Sequence, residues 1–525
     1  MHLGGVRLLF LALCNSWQRA PEAQLILRGV AKVFVRGGWM LVLAIAALAQ
    51  QNQSASPAQL SPGTVIPHQA CAAKPDESYA LYLPSHYTAN KKWPVVYVFD
   101  PDARGEIPVN LMKDAAERFG YIVVGSHNSR NGSWKLETDA AQAMWNDTHA
   151  RFAIDDRRIY FAGFSGGARV AAALAQSCKC TAGVLLSGAG FPGVPPSHDV
   201  VFPVFAAVGV YDFNYPELDE LDKKLEAADF PHVLQRFDGS HEWAPAGVMD
   251  EAFAWFELMA MKQNREPRNA DFIASQEKEA VARAEALQHS GNDYEAWREY
   301  RQAAATFDGL TDTAPLQQTA TSLAQQKAVR DGQKREEDEA KEQAQITSEI
   351  YAGLAALRAN IPGSSDSSSQ VAQQPQRGAT PSVSQNNDVT RSDIFHQTEQ
   401  QIVGLRTRTV SESNQDRLRV DRRALMGVFI GADEFGDESM TAKKFDLAKD
   451  YYQLAADAVP TSVGALQDLA KAQALDNDRK GSLKTLRKAK DEAKDLASFS
   501  AWLNDEPAFA KLRQDPQFRA LLASP

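Results

Sequence analysis

The chain has 525 residues, enough for two or three domains, because a single core stops growing near about 250–300 residues. Hydrophobic residues make up 44% and charged residues 23%, which excludes a wholly disordered or fibrous chain. The formal net charge is −10 and no basic stripe is interleaved with aromatics, so nucleic acid is not expected as a partner.

The first feature in chain order is a leader. Arg28, Lys32 and Arg36 precede an apolar run, Trp39–Ala49, that closes on Ala47-Leu48-Ala49 and turns polar at Gln50. The run is shorter than the ~20 residues that span a bilayer, but it fits a secretory apolar region of about 7–15. Residues 1–49 are therefore read as a signal segment, with export to the periplasm or the medium expected. An uncleaved N-terminal anchor is the alternative, and membrane contact is expected only through it. Beyond the leader stand Cys71, Cys178 and Cys180. A bridge from Cys71 to one of the other two and three buried thiols are equally compatible with the sequence. No Cys/His cluster has zinc-site spacing, so no metal is expected.

Residues 50–264 alternate strand and helix. Strand-like runs fall at Tyr79–Leu83, Val95–Phe99, Tyr121–Val124, Arg158–Ala162, Gly183–Leu186, Val204–Val208 and Val233–Phe237. Helical stretches lie between them at Leu111–Arg118, Asp139–Phe152, Gly167–Gln176, Pro216–Ala228 and Ala246–Met261. The later strands are continuous apolar runs, as expected of strands covered on both faces. The fold class read from this rhythm is α/β, a doubly wound, mostly parallel sheet.

After residue 264 strand-like runs vanish and all-α segments are expected. Residues 265–360 hold a helical hairpin, Glu277–His289 and Tyr294–Phe307, then a charged helix over Leu316–Arg358. Residues 361–393 have the Ser/Gln/Asn/Pro composition of a disordered linker. The last block, 394–525, carries Phe445, Ala448, Tyr452, Ala455, Ala456 and Pro460 near the spacing of a tetratricopeptide repeat's second helix, with Gly464–Leu475 and Arg479–Ala489 as a further hairpin. Repeats would imply a docking surface for a protein partner. Plain amphipathic packing is the other reading.

The strongest chemical signal is Gly163-Phe-Ser-Gly-Gly167, placed after the strand Arg158–Ala162 and before an Ala-rich helix. In that context G-x-S-x-G is a nucleophile elbow, with Ser165 lifted above the sheet edge. A serine hydroxyl needs a base, and His241 follows the last strand on the loop Phe237-Asp-Gly-Ser-His241. The acid that orients the base is Asp212, after the strand Val204–Val208, with Asp238 the weaker alternative. For the oxyanion hole, the Gly166 amide is one expected donor. The other is drawn from the loop Asp100–Gly105, with Asp102 or Ala103 as the source because Pro101 has no N–H. Phe164, Arg104, His127 and Trp243 are candidate pocket residues. Arg104 is expected either to pair with Asp100 or Asp102 or to bind an acidic substrate group.

Taken together, Tyr82-Leu-Pro84, Gly163-Phe-Ser-Gly-Gly-Ala-Arg169, Gly209-Val-Tyr-Asp212 and Gly239-Ser-His-Glu-Trp243 resemble the α/β-hydrolase superfamily over about residues 60–262. Within it they resemble the branch of esterases similar to polyhydroxybutyrate-depolymerase-like and dienelactone-hydrolase-like proteins. The resemblance implies a cofactor-free acyl-enzyme mechanism with Ser165, His241 and Asp212 as triad, acting on a small or polymeric ester. The Asp100–Gly105 loop departs from the common esterase pattern. An acyltransferase or peptidase on the same triad therefore stays open, as does an interaction protein with a degenerate hydrolase domain.

Overall fold

The computed structural model describes residues 61–193, 202–359 and 390–523. The leader (1–49) and residues 361–389 of the expected linker lie outside the described residues.

Among the described residues eight strands form one sheet. They are β1 (Val65–Cys71), β2 (Lys74–Tyr82), β3 (Trp93–Phe99), β4 (Ile122–Ser126), β5 (Ile154–Phe164), β6 (Thr181–Ser187), β7 (Val204–Gly209) and β8 (His232–Phe237). Their spatial order is β1-β2-β4-β3-β5-β6-β7-β8. The β1–β2 and β2–β4 pairs are antiparallel, and every pair from β4 to β8 is parallel. The side chains explain why both faces must be covered. Along β3, Val95, Tyr97 and Phe99 enter one core while Val96 and Val98 enter the other.

Helices α1 (Glu106–Phe119) and α5 (Ala246–Lys262) pack on the Val96 face. Helices α2 (Trp134–Arg151), α3 (Gly166–Ser177) and α4 (Tyr215–Ala227) pack on the Val95 face. This is the doubly wound α/β arrangement with parallel crossovers, in which the loops at the strand carboxyl ends gather along one edge. The strand β1 has no counterpart in the sequence reading. It is an edge strand, and Pro67, His68 and Gln69 break its apolar alternation.

The helices beyond residue 264 do not form a separate core at once. Helices α6 (Ala270–His289), α7 (Asp293–Phe307) and α8 (Ala314–Ala324) bury Ile273, Ala284, Tyr300, Phe307 and Leu323 in the same cluster as α5 and the sheet face. The expected single helix over Leu316–Arg358 is two, α8 and α9 (Lys327–Ala359), turning at Gln325 and Gln326. No Gly or Pro marks that turn. It arises because α8 buries its apolar face on the sheet domain while α9 runs on toward the later helices.

Near its start α9 packs against α7, where Arg298 and Glu336 form a buried ion pair. The Tyr294 and Tyr215 hydroxyls also donate to Glu336, at 2.8 and 2.7 Å. Burial acts to raise the Glu336 carboxyl, but Arg298 and Arg236 outweigh it and hold it down to about 2. Toward its end α9 joins α10 (Arg391–Ser411), α11 (Gln415–Thr441) and α12 (Phe445–Ala458) in a core of Ile350, Leu354, Ile402, Val428 and Tyr451. Helix α10 starts three residues earlier than expected because Thr390 and Asp393 form a capping box. Helices α13 (Val463–Leu475), α14 (Arg479–Glu492), α15 (Leu496–Asp505) and α16 (Pro516–Ala523) complete the chain around Leu469, Leu486 and Phe509.

One expectation about cysteine is corrected. The disulfide joins Cys178 to Cys180, and Cys71 is a free, buried thiol. Cys71 ends β1 at the sheet edge, in a core shared with α2, and burial, then Asp147, push its thiol up to about 12.

Candidate active site

The site is built at the carboxyl ends of β5, β7 and β8. After Phe164 the chain reverses into α3 within a single residue, and Ser165 takes φ 52°, ψ −122°. A left-handed φ on a residue with a side chain is strained backbone, held here by its surroundings. Ser165 N donates to Ser187 O of β6 at 2.9 Å, which fixes the turn to the sheet. The two flanking glycines are required by close approach. A Cβ on Gly163 would strike the Gly167 carbonyl and lie 2.6 Å from Ala168 N, and one on Gly167 would strike the Phe99 carbonyl of β3.

His241 lies on the loop after β8, and its Nε2 is 2.9 Å from Ser165 Oγ. Its Nδ1 is 2.9 and 3.0 Å from the two carboxylate oxygens of Asp212, which follows β7. Asp212 is fully buried, and the imidazole is only 5% exposed. Asn214 N donates to Asp212 Oδ1 at 2.8 Å, while Asn214 Nδ2 donates to Gly188 O at 2.8 Å. The acid thus accepts from two donors, His241 Nδ1 and Asn214 N, in keeping with the need to pair a buried carboxylate. Phe164 and Phe213 put their rings 4.7 and 4.5 Å from the His241 ring. Three residues from three separate loops therefore form one line, Asp212–His241–Ser165, walled by apolar rings.

The other expected site residues divide. Trp243 stays with the site, its ring 5.6 Å from Phe164 and its Nε1 donating to Asp100 Oδ2 at 2.8 Å. Arg104 is paired with both Asp100 and Asp102, each at 2.9 Å, which is the structural one of the two roles considered for it. Burial acts to raise the Asp100 carboxyl, but bonds from Arg104, Trp243 and Asp102 N outweigh it and hold it below its ordinary value. His127 is turned to the sheet edge, where its Nε2 lies 2.7 Å from Pro67 O and its ring stacks on His68. The Ser165–His241 line does not include it.

The loop Asp100–Gly105 also differs from its expected use. Asp102 N donates to Asp100 Oδ1 at 2.9 Å and Ala103 N to Asp100 O at 3.2 Å, so both amides are already engaged inside the turn. Gly166, as the first residue of α3, has an N–H with no acceptor within its helix. Beside it stands a residue that sequence reasoning missed. The Asn131 side chain lies against Gly166 with its Oδ1 nearest to where a Gly166 Cβ would stand, its amide carbon 2.9 Å and its Nδ2 3.5 Å from that point. Asn131 N donates to Pro101 O at 2.8 Å, and the backbones of Asp102 and Arg130 form an isolated antiparallel β-bridge, so the 130–131 turn is stitched to the Asp100–Gly105 loop. No motif marks Asn131 in the sequence; only the pairing of two loops brings it there. Among the described residues no group of three His, Cys, Asp or Glu side chains is placed to hold a metal ion.

No family model matches the chain, and no curated protein matches it. Solved structures resemble part of it. S-formylglutathione hydrolase FrmB of Staphylococcus aureus is 13% identical, TM-score 0.29, over 34% of this chain and 90% of its own. A feruloyl esterase module from Clostridium thermocellum is 16% identical, TM-score 0.30, over 38% of this chain and 88% of its own. Est1E from Butyrivibrio proteoclasticus is 14% identical, TM-score 0.28, over 35% and 93%. Likeness of this degree says nothing about what the present chain acts on.

Proposed function

We propose that the chain is a serine hydrolase that cleaves carboxylic esters through an acyl-enzyme. The observation that carries the reading is the hydrogen-bonded line from buried Asp212 through His241 to Ser165 on a strained elbow. In the first step His241 Nε2 takes the Ser165 proton as Oγ attacks the carbonyl carbon. The imidazolium then gives that proton to the leaving alkoxide, and water repeats the sequence to release the acid. Asp212 keeps Nδ1 protonated, so that Nε2 is the basic nitrogen. The Gly166 amide receives the oxyanion, joined by Asn131 once its carboxamide, which rests with Oδ1 toward Gly166, turns to present Nδ2; this replaces the Asp102 or Ala103 amide, since both are held by Asp100. Export belongs to the same proposal, supported by the 39–49 apolar run and by a disulfide at Cys178–Cys180, a bond of oxidising compartments.

The test is turnover of a panel of nitrophenyl and aryl esters by the wild type beside Ser165→Ala. Cleavage without any alcohol acceptor, lost in the mutant, supports a hydrolase. Turnover only when an acceptor is added would make the enzyme a transferase, and turnover surviving in Ser165→Ala would remove the serine from the mechanism.

A further inference from the structure

The loop Val210–Asn214 presents Asp212 to His241. On the sheet side it is held by its own backbone, with Val210 N donating to Phe237 O and Tyr211 N to Gly239 O, both at 2.9 Å. On its outer side it is held by the C-terminal helices. Arg423 Nε of α11 donates to Val210 O at 2.7 Å, across 213 residues of sequence. Gln343 Nε2 of α9 donates to Phe213 O at 2.7 Å, across 130 residues. These two carbonyls flank Asp212.

The helices are themselves braced for this contact. Arg423 is 3% exposed, pairs with Glu339 at 3.2 Å, and lies 3.8 Å from the Tyr215 ring centroid. Arg422 covers the Tyr211 ring at 4.9 Å. Gly427 meets Phe213 closely enough that a Cβ would stand 3.2 Å from Phe213 Cβ, and the Tyr351 hydroxyl holds Gly427 O at 2.9 Å. Phe213 in turn lies on the His241 ring. A short chain of contacts thus runs from α9 and α11 to both the acid and the base.

We infer that Arg423 and Gln343 are positioning residues of the triad, holding the 210–214 loop so that Asp212 stays aligned on His241. The inference rests on the hydrolase reading above. It makes the C-terminal helices part of the catalytic unit, because the sheet domain leaves these two carbonyls to them. Catalytic geometry tolerates displacements of only about 0.5 Å, and loss of either donor removes one of the two hydrogen bonds that hold the loop on its outer side.

The test uses full-length Arg423→Met and Gln343→Met, each alone and combined with Asp212→Asn. Gln343→Met removes a donor and no charge, so it remains informative if Arg423→Met fails to fold. Glu339 keeps Arg419 as partner at 2.7 Å in the Arg423 variant. Each single change is expected to lower kcat by about 10–100-fold, with KM within about twofold. In the Asp212→Asn background the same changes are expected to cost less than about threefold, because the residue they act through is already disabled. Losses that multiply in full in that background overturn the inference, as does wild-type kcat in folded Gln343→Met. Absence of ester turnover in the wild type overturns the hydrolase reading, and this inference with it. A wild type that turns over beside fully active variants removes the positioning role alone.

Discussion

Asp212→Asn isolates the electrostatic part of the site from its shape. The two side chains are nearly isosteric, and Asp212 is fully buried between the His241 Nδ1 and the Asn214 amide. The carboxylate can only accept from Nδ1, which leaves Nε2 free to take the Ser165 proton across 2.9 Å. A carboxamide can donate instead, and if its NH2 faces the ring it stabilises the tautomer with the proton on Nε2. That tautomer cannot act as a base toward Ser165. It also removes the negative charge that offsets the imidazolium formed in the transition state. The expected loss in kcat is about 10⁴-fold, equivalent to about 5 kcal/mol of barrier. KM is expected to change little, since Asp212 is buried behind the histidine. The assay is steady-state ester turnover with thermal melting in parallel, so that misfolding is seen separately. A folded Asp212→Asn enzyme within tenfold of the wild-type rate would refute the reasoning.

Three further outcomes are expected. Asn131→Ala should lower kcat by about 10²–10³-fold with little change in KM, the usual effect of removing one oxyanion donor; an unchanged kcat would return the second donor to the backbone. Burial pushes the Glu137 carboxyl up to about 7 against the opposing bond from Ser129. Between its free value near 4.5 and about 7 the native state binds the extra proton, so stability falls as pH rises through that window and levels off above it. Glu137→Gln should flatten that slope and gain about 2 kcal/mol on the wild type between pH 5 and pH 8, after discounting for solvent screening; parallel denaturation curves across that range would contradict it. Cys71, buried and with its thiol held near 12, should resist alkylation at pH 8 in the native protein and react on denaturation, which a timed iodoacetamide experiment reads directly.

The sequence carried the sheet domain well because its signals are local. The runs at 95–99, 158–162 and 204–208 are short, apolar and β-rich, and each lies inside an observed strand. The elbow is equally local, since Gly163 and Gly167 are forced by backbone contacts within a few residues and to the adjacent β3. What could not be read depends on pairings distant in sequence. Strand β1 is defined by its partner β2 rather than by its own composition. The turn between α8 and α9 has no breaker residue, only a change in which surface is buried. Asn131 reaches Gly166 through the 130–131 turn, and Arg423 reaches Val210 across 213 residues. The Asp100–Gly105 loop was legible as unusual but not as self-satisfied, because the amides of Asp102 and Ala103 turn back on Asp100 only in three dimensions.

The central claim is that Ser165 is an activated nucleophile, and active-site labelling tests it most directly. The wild type is treated with a fluorophosphonate probe, digested, and the adduct located by mass spectrometry. A single adduct at Ser165, on the peptide bearing Gly163–Arg169, is the expected result, abolished by Ser165→Ala and strongly slowed by His241→Ala. No adduct at Ser165, or equal labelling of Ser165→Ala, would contradict the account.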